Sequence, residues 1–307
     1  MRRKLIQHGL SSLTISLPRK WVKENNLKKG EEIELEIFKG KLVVSTKKHY
    51  EYKKIEINVS NAQPMIRRIV GATFKTGYDE VSVKFNTYQE LKAVQDLVRE
   101  QFTGFEIISQ TENRIIIKNL SQTDFIEFNN VLRRFFFVLN QMASELGEAL
   151  KKDDLERLKN TTLFKIESDK CADYCRRAIN MDFESDFKRT APLYTIIEQL
   201  EKVVDRYKDL CMHISTNKIK TNNKIQAVTK NVIKFQKEFY DLFYKFEIGK
   251  TIELGRNKEI LQKKLDDIAT QCSKKERKIV IFLDRILNLI FDLNGPLMAV
   301  YLKNSDT

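Results

Sequence analysis

Apolar and polar positions alternate with a period near two over several short stretches of the first 120 residues. Beyond them the period lengthens to that of a helix and stays there. Residues 4–7 and 13–17 predict two short strands around a turn at 9–12. Residues 19–25 predict a short helix with Pro18 in its first turn, and 31–38 with 42–45 a hairpin turning at Lys39 and Gly40. From residue 51, strand and helix alternate: strand 54–59, helix 61–76, strand 80–85, helix 87–102 opened by a capping box at Thr87 and Glu90, then a closing hairpin of 105–109 and 114–118. These make a small α/β sandwich. After a second capping-box pattern at Ser121 and Asp124, Leu132, Phe135, Phe136, Leu139, Met142, Ala143, Leu146 and Leu150 hold one helical face. Further helices are predicted at 155–181, 192–215, 224–244, 251–271 and 274–302, the last with Ile279, Phe282, Leu283, Ile286, Leu289, Ile290 and Leu293 at bundle spacing. Six helices in two sets of three suggest an internal duplication, with Met142 and the phenylalanines at 135–137 as core.

The expected fold is therefore mainly α. With 307 residues the chain has room for two or three domains, and the pattern places them at 1–47, 51–120 and 121–303. Four short strands in the first of these present too little apolar surface to close a core, so this segment is predicted to complete one by pairing with a second copy. Only 10 Gly and 4 Pro occur, which disfavours a fold built of strands and tight turns. No apolar run approaches the roughly 20 residues that span a bilayer, and Ser11, Ser12, Thr14 and Ser16 interrupt any signal core, so a cytoplasmic protein without an integral membrane segment is expected. Cys171, Cys175, Cys211 and Cys272 form no CxxC pair and read as reduced core thiols.

Charge is unevenly spread. Residues 1–50 carry twelve Lys/Arg against five Asp/Glu, more than half of the chain's net +13. A local basic excess of this kind is the footprint of a polyanion-binding module, because each phosphate neutralised releases condensed counterions. The run HGLSSLTISLPRKWVKENNLKKGEEIELEI, residues 8–37, resembles the swapped-hairpin barrel domain of the AbrB/SpoVT/MazE superfamily. Leu17, Pro18, Trp21, Leu27, Gly30 and Glu31 fall where that pattern has a strand ending in Leu-Pro, a short helix and a Gly-acidic turn. The resemblance implies half of a swapped-hairpin β-barrel, an obligate homodimer, and contact with double-stranded DNA through Arg2, Arg3, Lys4, Arg19, Lys20 and Lys23.

Carboxylates recur at helical spacing in the third segment. Asp169 and Asp173 are four apart, as are Glu201 and Asp205, and Glu198 extends the second set by a turn. Like charges so placed cost about 0.2–0.5 kcal/mol on an exposed helix, so two such pairs on neighbouring helices call for an offsetting cation or basic partner. Ordinary ion pairing is the alternative, Asp173 with Arg177, and Lys202 and Arg206 beside the second set. The segments LNQMASELGEALKKDD, IESDKCADYCRRAI and IIEQLEKVVDRYKDLC resemble the first three-helix repeat of the phosphate-uptake regulator (PhoU) family. That resemblance implies an iron or zinc cluster held by Asp169, Asp173, Glu198, Glu201 and Asp205. In the second repeat FLDRILNL and ELGRN offer Asp284 with Asn288 and Glu253 with Asn257, and Asn is a poor substitute for a charged ligand.

No Gly-rich phosphate loop, HExxH or Ser/His/Asp order occurs, and His8, His49 and His213 are scattered, so no catalytic residues are assigned and an enzyme is not expected. Even a metal-dependent phosphohydrolase would lack its base and Arg clamp. The α/β segment is expected to act as a spacer or dimer contact, with a regulatory ligand pocket as the alternative. Together the two resemblances imply a homodimeric transcription regulator of phosphate uptake. The alternative is a PhoU-like adaptor acting on a phosphate transporter or its signalling kinase, its N-terminal barrel only dimerising.

Overall fold

The computed structural model describes residues 3–9, 12–38, 41–45, 52–121, 127–181 and 187–302. The chain divides into two compact units, Met1–Tyr52 and Lys53–Thr307.

In the first unit, β1 (Ile6–His8) and β2 (Ser12–Thr14) form one antiparallel hairpin, and β3 (Glu34–Phe38) and β4 (Lys41–Ser45) another. The first strand pair is shorter than the sequence predicts, with Thr14 Oγ1 donating to the Ile6 carbonyl at 3.2 Å. Between the hairpins lies α1 (Arg19–Glu24), with Pro18 at its N-cap, where the missing N–H costs nothing. The expected turn at Lys39 and Gly40 lies outside the described residues.

The second unit joins an α/β module to a helical bundle. Strands β5 (Lys54–Asn58), β6 (Glu80–Lys84), β7 (Phe105–Gln110) and β8 (Arg114–Asn119) form one sheet in the order β5-β6-β8-β7. Strands β5 and β6 are parallel, and β8 enters between β6 and β7, antiparallel to both. On one face Ile55, Ile57, Val81, Val83, Ile115 and Ile117 pack under α2 (Ile66–Thr76) and α3 (Tyr88–Gln101). The other face is charged: Lys54 pairs with Glu80 at 3.2 Å, and Lys84 and Arg114 reach Glu56 at 2.6 and 3.2 Å. The capping box at Thr87 and Glu90 forms as expected, and Glu90 also accepts the N–H groups of Asn61 and Asn86. These donors, Asn86 first, hold its carboxyl below the usual range. Helix α2 starts later than expected because Pro64 keeps the residue before it out of the helical region.

The bundle comprises α4 (Phe128–Lys152), α5 (Leu155–Thr161), α6 (Phe164–Met181), α7 (Phe187–Thr216), α8 (Asn223–Tyr244), α9 (Ile248–Gln271), α10 (Lys274–Asp292) and α11 (Asn294–Tyr301). Two of the six predicted helices are broken. At the α5–α6 junction Thr161 and Thr162 turn their hydroxyls back on the carbonyls of Arg157 and Lys159, at 2.7 and 2.6 Å, an alternative to continued helix. At the α10–α11 junction Pro296 cannot donate to the carbonyl four residues back, that of Asp292, so α10 ends there. Helix α7 starts before Pro192 and runs through it. The capping pattern at Ser121 and Asp124 lies partly outside the described residues, and α4 begins after Glu127. Along α4 the predicted apolar face is buried, except that of the three phenylalanines Phe135 and Phe136 are core whereas Phe137 is 65% exposed. All four cysteines are free; Cys171, Cys175 and Cys211 are core and Cys272 is half-buried. Burial pushes the Cys171 thiol up to about 11 and that of Cys211 up to about 12, so neither is a thiolate at neutral pH. Among the described residues no helix is long and apolar enough to cross a membrane.

A fully buried link between module and bundle is made by Arg177 of α6. Its guanidinium, 1% exposed, donates to the carbonyls of Phe74 and Tyr78, each at 2.8 Å, and pairs at 3.0 Å with Asp79, equally buried. The rings of Phe74 and Phe105 lie 5.2 and 4.9 Å from its central carbon. The carbonyls it binds bracket Gly77, which ends α2 at φ 102° and would place a Cβ only 2.8 Å from Met181 of α6. Replacing one partner of such a buried pair leaves the other charge unpaired, at a cost of about 3–5 kcal/mol. Arg177→Met, which keeps volume and removes charge, is therefore expected to lower the urea midpoint by a corresponding amount. A loss below about 1 kcal/mol would contradict the role given to this side chain.

Candidate functional site

Two groups of residues are candidates. The first is the basic set of the N-terminal unit. Arg3 and Lys4 lie just before β1, and Arg19, Lys20 and Lys23 on α1; all five are exposed, whereas Arg2 lies outside the described residues. Lys20 has one ion pair, with Glu24 at 3.8 Å and open to solvent, which screens it almost completely. Leu5, Ile6, Leu13, Ile15, Leu35 and Leu42 are also exposed, and no described side chain of this unit is buried. One copy therefore presents cations and bare apolar side chains together.

The second group is the set of carboxylates, which the structure does bring together, on α6 and α7. Helical spacing sets Asp169 and Asp173 on one face of α6, and Glu198, Glu201 and Asp205 on the face of α7 that packs against it. Three cations meet them. Lys165, one turn before Asp169, donates to Asp169 at 2.5 Å and lies 2.9 Å from Asp205 and 3.5 Å from Glu201. Arg176 pairs with Asp173 at 2.8 Å, with Glu198 at 2.9 Å, and with Glu201. Lys75 comes from α2 to within 3.8 Å of Asp173, and Gln101, the last residue of α3, donates to Asp169 at 3.3 Å.

Ionisation follows from this mixture. Burial opposes the charge of Lys165, but Asp169 and Glu201 overcome it and raise its pKa; Arg176 is raised in the same way by Glu201 and Asp173. Burial works against the Glu201 carboxylate too, yet Arg176 and Lys165 hold it below the usual range. Asp173 is pushed up by burial despite Lys75 and Arg176. Asp169, buried and beside two further acids, is pushed up to about 6 even with Lys165 in contact. Burial first, and then five carboxylates against three cations, explains why Asp169 and Asp173 resist ionisation.

The partner expected for Asp173 is corrected. Arg177, one turn on, faces the α/β module, and Arg176 takes Asp173 instead. Arg206 pairs with Asp209 at 3.1 Å, away from the cluster. Lys165, four residues before Asp169, was legible in the spacing as an i,i+4 partner; Lys75 and Gln101, about 70–100 residues away in sequence, had no such signal. As for an iron or zinc cluster, among the described residues no three His, Cys, Asp or Glu side chains are grouped so as to hold a metal. The carboxylate oxygens converge on an ammonium and a guanidinium, so the residues as arranged do not fit the group.

The second repeat is different in kind. Asp284 accepts from Gln262 at 2.6 Å and from Asn288 at 3.2 Å, and Asn257 donates to Glu238 at 3.3 Å. Amides satisfy Asp284, whereas Glu238 also pairs with Lys234 at 3.4 Å. His213 lies 3.1 Å from the Lys275 carbonyl, His8 is exposed in β1, and His49 lies outside the described residues.

Against known proteins, residues 10–52 match the family model described as antidote-toxin recognition MazE, bacterial antitoxin. No curated protein matches the chain. Among solved structures the chain is similar to the phosphate transport system regulatory protein PhoU from Streptococcus pneumoniae, at 15% identity and a TM-score of 0.44, over 60% of this chain and 98% of that one.

The Asp169 environment has a measurable consequence. Its folded pKa of about 6 lies above the roughly 3.9 of an unfolded aspartate, so the folded state takes up the proton first as pH falls. Its ionisation costs stability above about pH 6, and the cost disappears on acidification toward pH 4. Relative to Asp169→Asn, the native chain is expected to gain about 2–3 kcal/mol between pH 7 and pH 4, read by thermal denaturation across that range. A difference that does not change with pH would contradict the assignment.

Proposed function

We propose that this chain is a homodimeric, DNA-binding transcription regulator of phosphate uptake, its N-terminal unit gripping double-stranded DNA and its helical unit receiving the signal. One observation carries the reading. The N-terminal unit, of which residues 10–52 match the MazE family model, exposes Arg3, Lys4, Arg19, Lys20 and Lys23 beside apolar side chains that a single copy leaves in water. Apolar surface of that extent is covered in a stable protein, and a second copy supplies the same apolar residues to cover it. Dimerisation then doubles the cation set, and two basic sets fixed relative to each other suit the repeating phosphates of a duplex. The phosphate part of the reading rests on the resemblance of residues 121–303 to the PhoU family.

Assembly is tested first. At micromolar concentration the full chain is expected to sediment at twice its 36.2 kDa mass; a monodisperse monomer would remove the basis of the reading.

DNA binding is tested on the full chain by replacing Arg3, Arg19 and Lys20 with Ala. Duplex binding should weaken and the log–log salt dependence flatten by about one unit for each phosphate no longer neutralised, with thermal stability unchanged. An unaltered salt slope, or a native chain that does not bind duplex DNA at all, would favour the adaptor, in which the first unit only dimerises.

A further inference from the structure

We infer that the carboxylate cluster of the first helical repeat is neutralised by the chain's own cations and works without a metal, as an ionic latch between α6, α7 and the α/β module. The argument begins with geometry. Where carboxylates from two helices ligate a metal, their oxygens converge on a shared point. Here the oxygens of Asp169, Glu201 and Asp205 converge on Lys165 Nζ, at 2.5, 3.5 and 2.9 Å. Those of Asp173, Glu198 and Glu201 converge on Arg176. An ammonium and a guanidinium hold the places that ions would take.

Burial makes that occupation durable. Lys165 is 17% exposed and Arg176 only 3%, so moving either away strands buried acids, and water cannot fully replace it. Two negative charges remain beyond those neutralised by Lys165, Arg176 and Lys75. Glu198 and Asp205 are the most exposed of the five acids, at 45% and 37%, so solvent serves the excess without a second cation.

The latch also gives the α/β module a role beyond that of a spacer. Lys75 of α2 and Gln101 of α3 each reach an acid of α6, and Asn180 of α6 donates to the Lys75 carbonyl at 2.8 Å. Module and cluster are thus in contact, and a change at the cluster is felt by the module.

The full-length native chain and Lys165→Gln are compared, each purified without chelator, then equilibrated with EDTA or with excess zinc, iron(II) or manganese. Elemental analysis and melting temperature are read together. The native chain is expected to retain no stoichiometric metal and to melt at the same temperature in all conditions. Lys165→Gln leaves three acids without their ammonium; its melting temperature should fall by roughly 5–10 °C in EDTA and recover in part with a divalent cation that now binds. A native chain that binds stoichiometric metal and loses it in the Asp169→Asn, Asp205→Asn double variant would overturn the inference. So would a Lys165→Gln chain that melts in EDTA as the native one does. If Lys165→Gln fails to fold, the native chain's metal content decides alone. Neither result bears on the N-terminal unit, whose DNA binding is read separately.

Discussion

A guanidinium cannot lose its protons inside a protein, so burying one commits the surrounding structure to supply acceptors and a counter-charge for it. Arg177 is such a commitment. Its acceptors are one carboxylate, Asp79, and two carbonyls at the end of α2. Gly77 ends α2 in the left-handed region, and although its N–H returns to the Phe74 carbonyl at 3.1 Å, that oxygen has a second lone pair for Arg177. Asp79 in turn accepts the backbone N–H of Lys53, at the entrance to β5, at 2.9 Å. One side chain of the bundle thereby fixes the C-terminus of a helix and the start of a strand in the module. Together with Lys75, Gln101 and Asn180 at the same boundary, it ties module and bundle into the single unit of residues 53–307, where the sequence suggests two domains.

Once α6 is anchored this way, the rest of its polar face has little freedom. Arg177 points toward the module, so the neighbouring Arg176 is turned toward α7, where Glu198 and Glu201 await it. Two adjacent arginines thus serve opposite sides of one helix. Lys165 repeats the link to α7 three turns earlier, and Lys75 returns it to the module. Burial alone would make either acid pair unstable; alternating the sign of charge across three helices offsets that cost.

Periodicity told most of the fold. Helices α8, α9 and α10 fall within a few residues of their predicted starts, and the α/β segment has the expected strands, helices and closing hairpin. What periodicity missed were places where short-range polar chemistry overrides it, the Thr161–Thr162 hydroxyls and Pro296, and a side chain such as Phe137 that shares its neighbours' composition but not their face. The acids were legible because i,i+4 spacing is local. Their cations were only half legible: Lys165 and Arg176 are local to α6, but the choice between Arg176 and Arg177 depends on Asp79, about 95 residues earlier, and no pattern within the helix encodes it.

The two units also dispose of charge in opposite ways. In the second, buried cations are drawn inward, Arg177 to Asp79, Arg176 and Lys165 to the acids of α7, while the outer face of the sheet neutralises itself through Glu56 and Glu80. In the first, the described cations have one weak exposed pair among them, and residues 1–50 carry more than half the net positive charge in a sixth of the length. Unpaired surface charge contributes little to folding and much to long-range attraction, and within a Debye length of about 8–10 Å it acts on a polyanion before any contact is made. The second unit thus satisfies its buried cations with its own acids, whereas the first exposes its described cations together with large apolar side chains and buries none of them.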